Sequence, residues 1–561
     1  MRKSLIRRPQ TQACGKNDYL ARGAPGKVPS RQGAIQAKCH PGIFGERELE
    51  KDIVIGIDSS TSATKATAWT REGILVGEGR QSIPMTNPLP NRFEQDPSDW
   101  WGSTCDALQS LFHNVDPTRV AAVSISNQRE TFGVFDADGN SVRPAMVWLD
   151  ERAIAEVEAI DAALGADRVR EISGKPLDVL LPYNRMAWLR KNEPDHFDAI
   201  HRYADVHCFL CFQLTGNWTT SQASADPSGM LDIQQRVWSE EVLIAAGVPE
   251  DYMPDLAAPG ALVGHITPIA ATKTGLPADT PLFAGGGDGQ CAACGAGVTS
   301  AGVAYMNLGT AIVSGVYSEK YAHDQAFRTE IAVADKGYIF ETVLKSGTFL
   351  VDWFARELGG ADTGAMGEVL SALGDEASKS AIGAGGLVLL PFWQGSMTPH
   401  WDAKARGIIA GLSGSTRRGD IFRAVLEGLA LDQAFALEQA THAISGDISR
   451  IIAIGGGTAS DLWLQIVADA LNVPVSRAKV AEASALGAAN CAAKGAGWYK
   501  TIADASHAMS QPTERNFDPV PQNVARYKEF RAIYDDLWPI MQQWNARLWD
   551  FANKACVHPA K

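Results

Sequence analysis

VIGIDSSTSATK (residues 54–65) is an apolar run that breaks into a turn built from Asp, Ser and Thr. Three further stretches share that grammar: PLFAGGGDG (281–289), VAYMNLGT (303–310) and IIAIGGGTASD (451–461). Each reads as a buried strand followed by a turn whose small residues leave backbone N–H groups bare. Such an array of donors, with no side chain in the way, cradles anionic oxygens. One such turn says little. Four, two of them with an Asp beside the cradle, point to a nucleotide, a metal ion and chemistry carried out on them.

The rest of the chain bounds that reading. At 561 residues it can bury two sizeable cores, so at least two domains are expected. The formal net charge of −13 argues against a nucleic-acid partner, which would attract a basic surface. No apolar run reaches the roughly 18 residues of a membrane span, so no membrane role is expected. The pairs Cys208/Cys211 and Cys291/Cys294 have C-x-x-C spacing but lie too far apart in sequence for a zinc ribbon. Their apolar surroundings, HCFLCF and CAACGAG, read as buried helix with thiols kept reduced, which fits a cytoplasmic protein.

Residues 1–51 stand apart, with eleven Lys/Arg against four Asp/Glu and no periodicity, and read as a disordered basic extension. From there the grammar becomes α/β. Strands are predicted at 53–57, 65–69, 74–76, 121–125 and 132–135, with a hairpin turn at DGN (138–140). A helix over about 98–112 opens with Pro97 and a capping Ser98. Beyond residue 300 the pattern repeats, with strands near 303–307, 338–344, 386–391 and 450–454 and a helix from Asp461. A long amphipathic helix over 419–440 carries Ile421, Val425 and Leu429 on one face. The halves read as two copies of one plan with a nucleotide cleft between them. No P-loop, protein-kinase or Rossmann signature is present.

RGIIAGLSGSTRRGDIFRAVLE (406–427), PHWDAKARG (399–407) and EQDPSDWW (94–101) resemble segments of the FGGY carbohydrate kinases. In LPYNRMAWLRKN (181–192), Arg185 stands where that family usually has Lys. The resemblance covers about 52–520 and implies two actin/hexokinase-like (ribonuclease H-like) domains with ATP between them. It implies an N-terminal domain over 52–298 with the acceptor site, phosphate loop and base. An ATP-binding domain over 299–520 and a helical tail over 521–561 follow. Carried over, Asp58 and Asp288 are the Mg²⁺-side carboxylates, and Asp288 is the general base. Ser60, Thr61, Ser62 and Lys65 line the phosphate loop; Gly309 and Thr310 form a second phosphate contact. Gly455, Gly456 and Ser460 fall at the adenine end. The implied cofactors are ATP and Mg²⁺, the partner is a small sugar or polyol, and a homodimer is compatible with the family.

The acceptor is read from ISNQRETFGVF (125–135) and MVWLDERA (146–153). NQRET resembles the glycerol-kinase pattern, in which Arg129 and Glu130 would hold adjacent hydroxyls and Trp148 would wall the carbon chain. GDG at 287–289 departs from the GDQ of glycerol kinases, and DSST at 58–61 looks closer to xylulokinase-type members. The acceptor class is therefore a C3–C6 polyol or ketose, with glycerol and xylulose both open. A non-catalytic regulator on the same fold is disfavoured by the presence of Asp58, Asp288 and Thr310.

Overall fold

The computed structural model describes residues 51–555, apart from 335, 363, 445 and 511–514. The expected basic extension, save Lys51, lies outside the described residues, as do residues 556–561.

Two twisted sheets organise the chain. The first contains β1 (Ile53–Ser59), β2 (Ala63–Thr70), β3 (Leu75–Ser82), β4 (Val120–Asn127), β5 (Leu262–His265) and β6 (Pro281–Gly287), in the order β5-β6-β4-β1-β2-β3. The second contains β7 (Val303–Leu308), β8 (Ile312–Ser318), β9 (Arg328–Ile331), β10 (Tyr338–Leu344), β11 (Arg450–Ile454), β12 (Val475–Arg477) and β13 (Arg515–Phe517). Its order is β9-β10-β8-β7-β11-β12-β13. In each sheet three strands form an antiparallel meander (β1-β2-β3; β7-β8-β10). Two more strands then add in parallel beside the first (β4 and β6; β11 and β12). The repeated turns thus belong to one topology used twice.

Parallel strands need both faces covered, which is why β1 reads IVIGIDS and is buried along its whole length. One face of this sheet carries α1 (Pro97–Phe112), with Trp100, Leu108 and Leu111 in its core. The other carries α6 (Ala483–Gly495), an Ala- and Gly-rich helix from the far end of the sequence. The contact is backbone on backbone. A Cβ on Gly56 of β1 would lie 1.9 Å from the Ala485 carbonyl oxygen. One on Gly487 would lie 1.9 Å from the Cys291 carbonyl oxygen in α3 (Asp288–Gly295). Side chains of any size at these positions would push the helix off the sheet.

α6 packs on the first sheet because its small residues allow close approach of α3 and β1. Two expectations need correction. The cap of α1 is Asp96, whose carboxylate accepts from Ser98 N; Ser98 is already inside the helix, after Pro97 at its first position. The long helix α4 (Arg418–Ile444) is not one-sided: residues 422–434 are buried all round, with Phe422, Ala424, Leu426 and Leu431 as deep as Val425 and Leu429. A helix enclosed on every side shows no apolar stripe. Cys208 and Cys211 lie buried on α2 (Val206–Thr215), and Cys291 and Cys294 lie buried on α3, none of the four in a disulfide. No helix among the described residues is long and apolar enough to cross a membrane.

Candidate active site

The C-terminal ends of β1, β4 and β6 lie side by side, because these three strands are parallel neighbours. In open α/β sheets this edge is where ligands bind. Asp58 sits at the end of β1, Arg129 and Glu130 follow β4, and Asp288 follows β6. Asp58 is buried and accepts a hydrogen bond from Ser126 Oγ at 3.0 Å. Burial, and after it the charge of Asp288, push the Asp58 carboxyl up to about 7, against the opposing influence of Ser126 and Lys65. Asp288 keeps a side chain 37% exposed, open enough for an incoming hydroxyl. Its Oδ1 accepts from Gly289 N at 2.8 Å and meets Arg129 Nε at 3.1 Å. Burial raises its carboxyl above the usual range, and Arg129 opposes that rise.

Arg129 and Glu130 are both nearly buried, with side chains 9% and 8% exposed. Arg129 Nη1 donates to Glu341 Oε2 at 2.9 Å, and Arg328 Nη1 donates to Glu130 Oε1 at 2.7 Å. Arg328 Nη2 donates to Glu341 Oε1 at 2.5 Å. The network therefore joins the loop after β4 in the first sheet to β9 and β10 of the second. Burial alone would raise the carboxyl of Glu341, but the guanidinium groups of Arg129 and Arg328 hold it at about 2. Burial raises the Glu130 carboxyl despite the same two arginines. Glu130 also has a left-handed backbone (φ 54°), uncommon for a residue other than glycine and met most often at functional turns.

Arg185 explains how that turn is held. It is fully buried on the helix Pro182–Asn192, and burial lowers its guanidinium to about 10, so it stays charged. It donates to the carbonyl oxygens of Val147 (2.6 Å), Leu180 (2.6 Å) and Glu130 (2.5 Å). The forked guanidinium thus ties the Glu130 turn to the segment leading to Trp148. Trp148 in turn donates from Nε1 to Thr61 Oγ1 at 2.8 Å, linking the expected acceptor wall to the expected phosphate loop. Ser60 N and Oγ both bond the Ala63 carbonyl (3.0 and 2.9 Å), which closes the β1–β2 turn; Ser62 at its tip is exposed. Lys65 pairs with Glu482 at 2.5 Å, just before α6, instead of standing free toward a phosphate.

The remaining expected residues gather at the same edge of the second sheet. Gly309 and Thr310 follow β7, and Gly455 and Gly456 follow its parallel neighbour β11. Gly455 has φ 87°, and a Cβ there would meet Asn307 Oδ1 at 2.4 Å, so this turn lies against the end of β7. Thr348 N and Gly347 N bond the carbonyls of Gly309 (2.7 Å) and Thr310 (2.8 Å). Ser460 caps α5 (Asp461–Leu471) by accepting from Trp463 N at 3.2 Å, so its hydroxyl has a structural partner. Among the described residues, no hydrogen bond or ion pair joins this group to the group around Asp58 and Asp288.

Sequence reading passed over Glu341, Arg328 and Glu482. Glu341 left a trace: it is the one charge in YIFETVL, a strand buried at every position.

Two matching open sheets, each presenting phosphate-type turns at the ends of parallel strands, agree with what comparison with known proteins finds. Residues 53–295 match the FGGY family of carbohydrate kinases, N-terminal domain, and residues 304–496 match its C-terminal domain. The chain belongs to the FGGY family of carbohydrate kinases. A xylulose kinase of Bacillus subtilis (strain 168) is 29% identical over 505 residues, 89% of this chain and 99% of the relative. A glycerol kinase of Symbiobacterium thermophilum is 29% identical over 485 residues, 84% of this chain and 95% of the relative. The crystal structure of xylulose kinase from Rhodospirillum rubrum superposes with a TM-score of 0.82 at 25% identity, covering 88% of this chain and 99% of that one. This FGGY kinase therefore transfers a phosphoryl group from ATP to a hydroxyl of a small sugar or polyol, and the actin/hexokinase-like plan is its fold.

Proposed function

We propose that this kinase phosphorylates a C3–C6 polyol or open-chain ketose with Asp288 as general base. The observation that carries the reading is Asp288 at the end of β6, part-exposed, with Arg129 Nε 3.1 Å from its Oδ1. A carboxylate so placed can take the proton from an attacking hydroxyl, and Arg129 beside it counters the burial that raises its carboxyl. Arg129 and Glu130 offer donors and an acceptor to adjacent hydroxyls, while Trp148 covers the carbon chain. Thr61, Ser62, Gly309 and Thr310 receive the phosphates, and Gly455, Gly456 and the start of α5 the adenosine end.

Magnesium fits the residues present. Asp58 and Asp288 supply oxygen donors only, and burial first, then the excess negative charge that Asp288 adds, raises the Asp58 carboxyl. A hard divalent cation relieves that excess, and these two carboxylates would hold it. When bound, it would neutralise charge on the transferring phosphoryl group.

Two acceptors have specific support. The NQRET loop favours a glycerol-like triol, whereas the match over nearly the whole length of xylulose kinases favours a ketopentose. A coupled ADP-release assay across C3–C6 polyols and ketoses decides between them. Hydrolysis of ATP that no acceptor stimulates would overturn the proposal.

A further inference from the structure

The guanidinium of Arg129 has three corners, and the structure fills two of them. Nε meets Asp288 at 3.1 Å and Nη1 donates to Glu341 at 2.9 Å. Nη2 has no hydrogen-bond partner among the described residues. Glu341 is itself held from two further sides. Tyr305 OH donates to its Oε2 at 3.2 Å and Arg328 to its Oε1 at 2.5 Å. Its side chain is 1% exposed, so it cannot reach an acceptor directly.

Space for this arrangement comes from Gly289. A Cβ there would lie 2.9 Å from Glu341 Oε2 and 3.0 Å from Arg129 Cζ and Nη2. This is the position at which the chain departs from a GDQ pattern. A side chain at 289 and the Arg129–Glu341 pair compete for the same volume.

We infer that Glu341 is a positioning residue for phosphoryl transfer: it pins Arg129 through Nη1, so that Nη2 and the Asp288 carboxylate face the acceptor together as donor and base. The inference rests on the assignment of Arg129 and Asp288 to the acceptor site. Without the pin, the long Arg129 side chain can swing to bind Asp288 in two-pronged fashion, which removes both the free donor and the free base oxygen. Arg328, reaching from Glu341 to Glu130, extends the same support to the neighbouring hydroxyl contact.

The test is a double-mutant cycle read on acceptor and ATP kinetics separately. Glu341→Gln should lower kcat/KM for the acceptor about 10- to 100-fold, the scale of loss that misplacement of a site group brings, with KM for ATP unchanged. Placed in an Arg129→Gln background, Glu341→Gln should add less than about threefold, because the residue through which it acts is already gone. Independent, multiplying losses would overturn the inference. So would wild-type acceptor kinetics in Glu341→Gln. Removing this buried carboxylate leaves two arginines short of an anion, so Tyr305→Phe is the companion variant. It loosens Glu341 while leaving every charge in place. It should reduce acceptor kcat/KM in the wild-type background and be silent beside Arg129→Gln; an equal effect in both backgrounds overturns the inference. If Arg129→Gln alone leaves acceptor kinetics intact, the assignment of Arg129 fails and the inference falls with it. If Arg129→Gln is impaired and the losses multiply, only the role of Glu341 falls.

Discussion

Asp288→Asn separates chemistry from architecture at this site. The amide has the shape of the carboxylate and its oxygen can still accept from Gly289 N and Arg129 Nε, now 2.8 and 3.1 Å from Asp288 Oδ1. Arg129 keeps its 2.9 Å bond to Glu341, so no buried charge is stranded. The fold should therefore stand, with a melting temperature close to wild type. ATP affinity should persist as well, since Gly309, Thr310, Gly455 and Gly456 lie on the second sheet and the β1–β2 turn with Thr61 and Ser62 closes on its own backbone bonds. What the amide cannot do is take a proton. Removing a general base slows turnover by about 10²–10⁴-fold, equivalent to roughly 3–5 kcal/mol of barrier at 1.36 kcal/mol per decade. The measurements are kcat by coupled ADP release with the best acceptor, nucleotide affinity by calorimetry, and a thermal melt. A kcat within tenfold of wild type, in a folded variant that binds ATP, would refute the assignment of the base. A collapsed melting temperature would instead show that the charge of Asp288 is needed to hold Arg129.

Three other outcomes follow from named contacts. Gly56→Ala should destabilise the protein by about 1–3 kcal/mol or more, because its methyl would meet the Ala485 carbonyl at 1.9 Å and neither backbone can retreat; an unchanged melting temperature would mean that α6 does not press on β1. Burial raises the carboxyl of Asp432, inside α4, to about 7 from an ordinary 3.8, so its favourable contribution is complete below pH 3.8 and is lost as pH rises through 7. Asp432→Asn should therefore gain on wild type with rising pH, by up to about 4 kcal/mol at pH 8 for a shift near three units; melts at pH 5 and pH 8 with the same difference between variant and wild type would contradict this. Trp148→Phe keeps an aromatic wall but loses the 2.8 Å bond to Thr61, worth about 1 kcal/mol. The variant should show a several-fold fall in acceptor kcat/KM, and one indistinguishable from wild type would make that bond incidental.

Much of this kinase could be read from its chain because the information is local. Apolar runs ending in Gly-, Ser- and Asp-rich turns mark strands and bare N–H groups wherever they occur, and those at 54–65, 281–289, 303–310 and 451–461 all end strands of the two sheets. The same locality placed β10, β11 and the start of α5, where buried strands and a Ser cap leave unmistakable patterns. Local reading failed where a residue's meaning depends on a partner far away in sequence. Ser98 is a local exception: it reads as a cap, but Asp96, two places earlier, takes that position and accepts from Ser98 N. The one-sided pattern expected of α4 dissolved because other elements enclose it. Nothing near Arg129 in the sequence announces Glu341, 212 positions later, which the strand order of the second sheet brings against it. Lys65 reads as a free cation until Glu482 arrives with α6, 417 positions on. Sequence alone determined the elements and the turns, since backbone preference and apolar periodicity act over a few residues. Tertiary structure decided which charges meet, since burial makes an unpaired charge costly and only the packed sheets determine the partner each one finds.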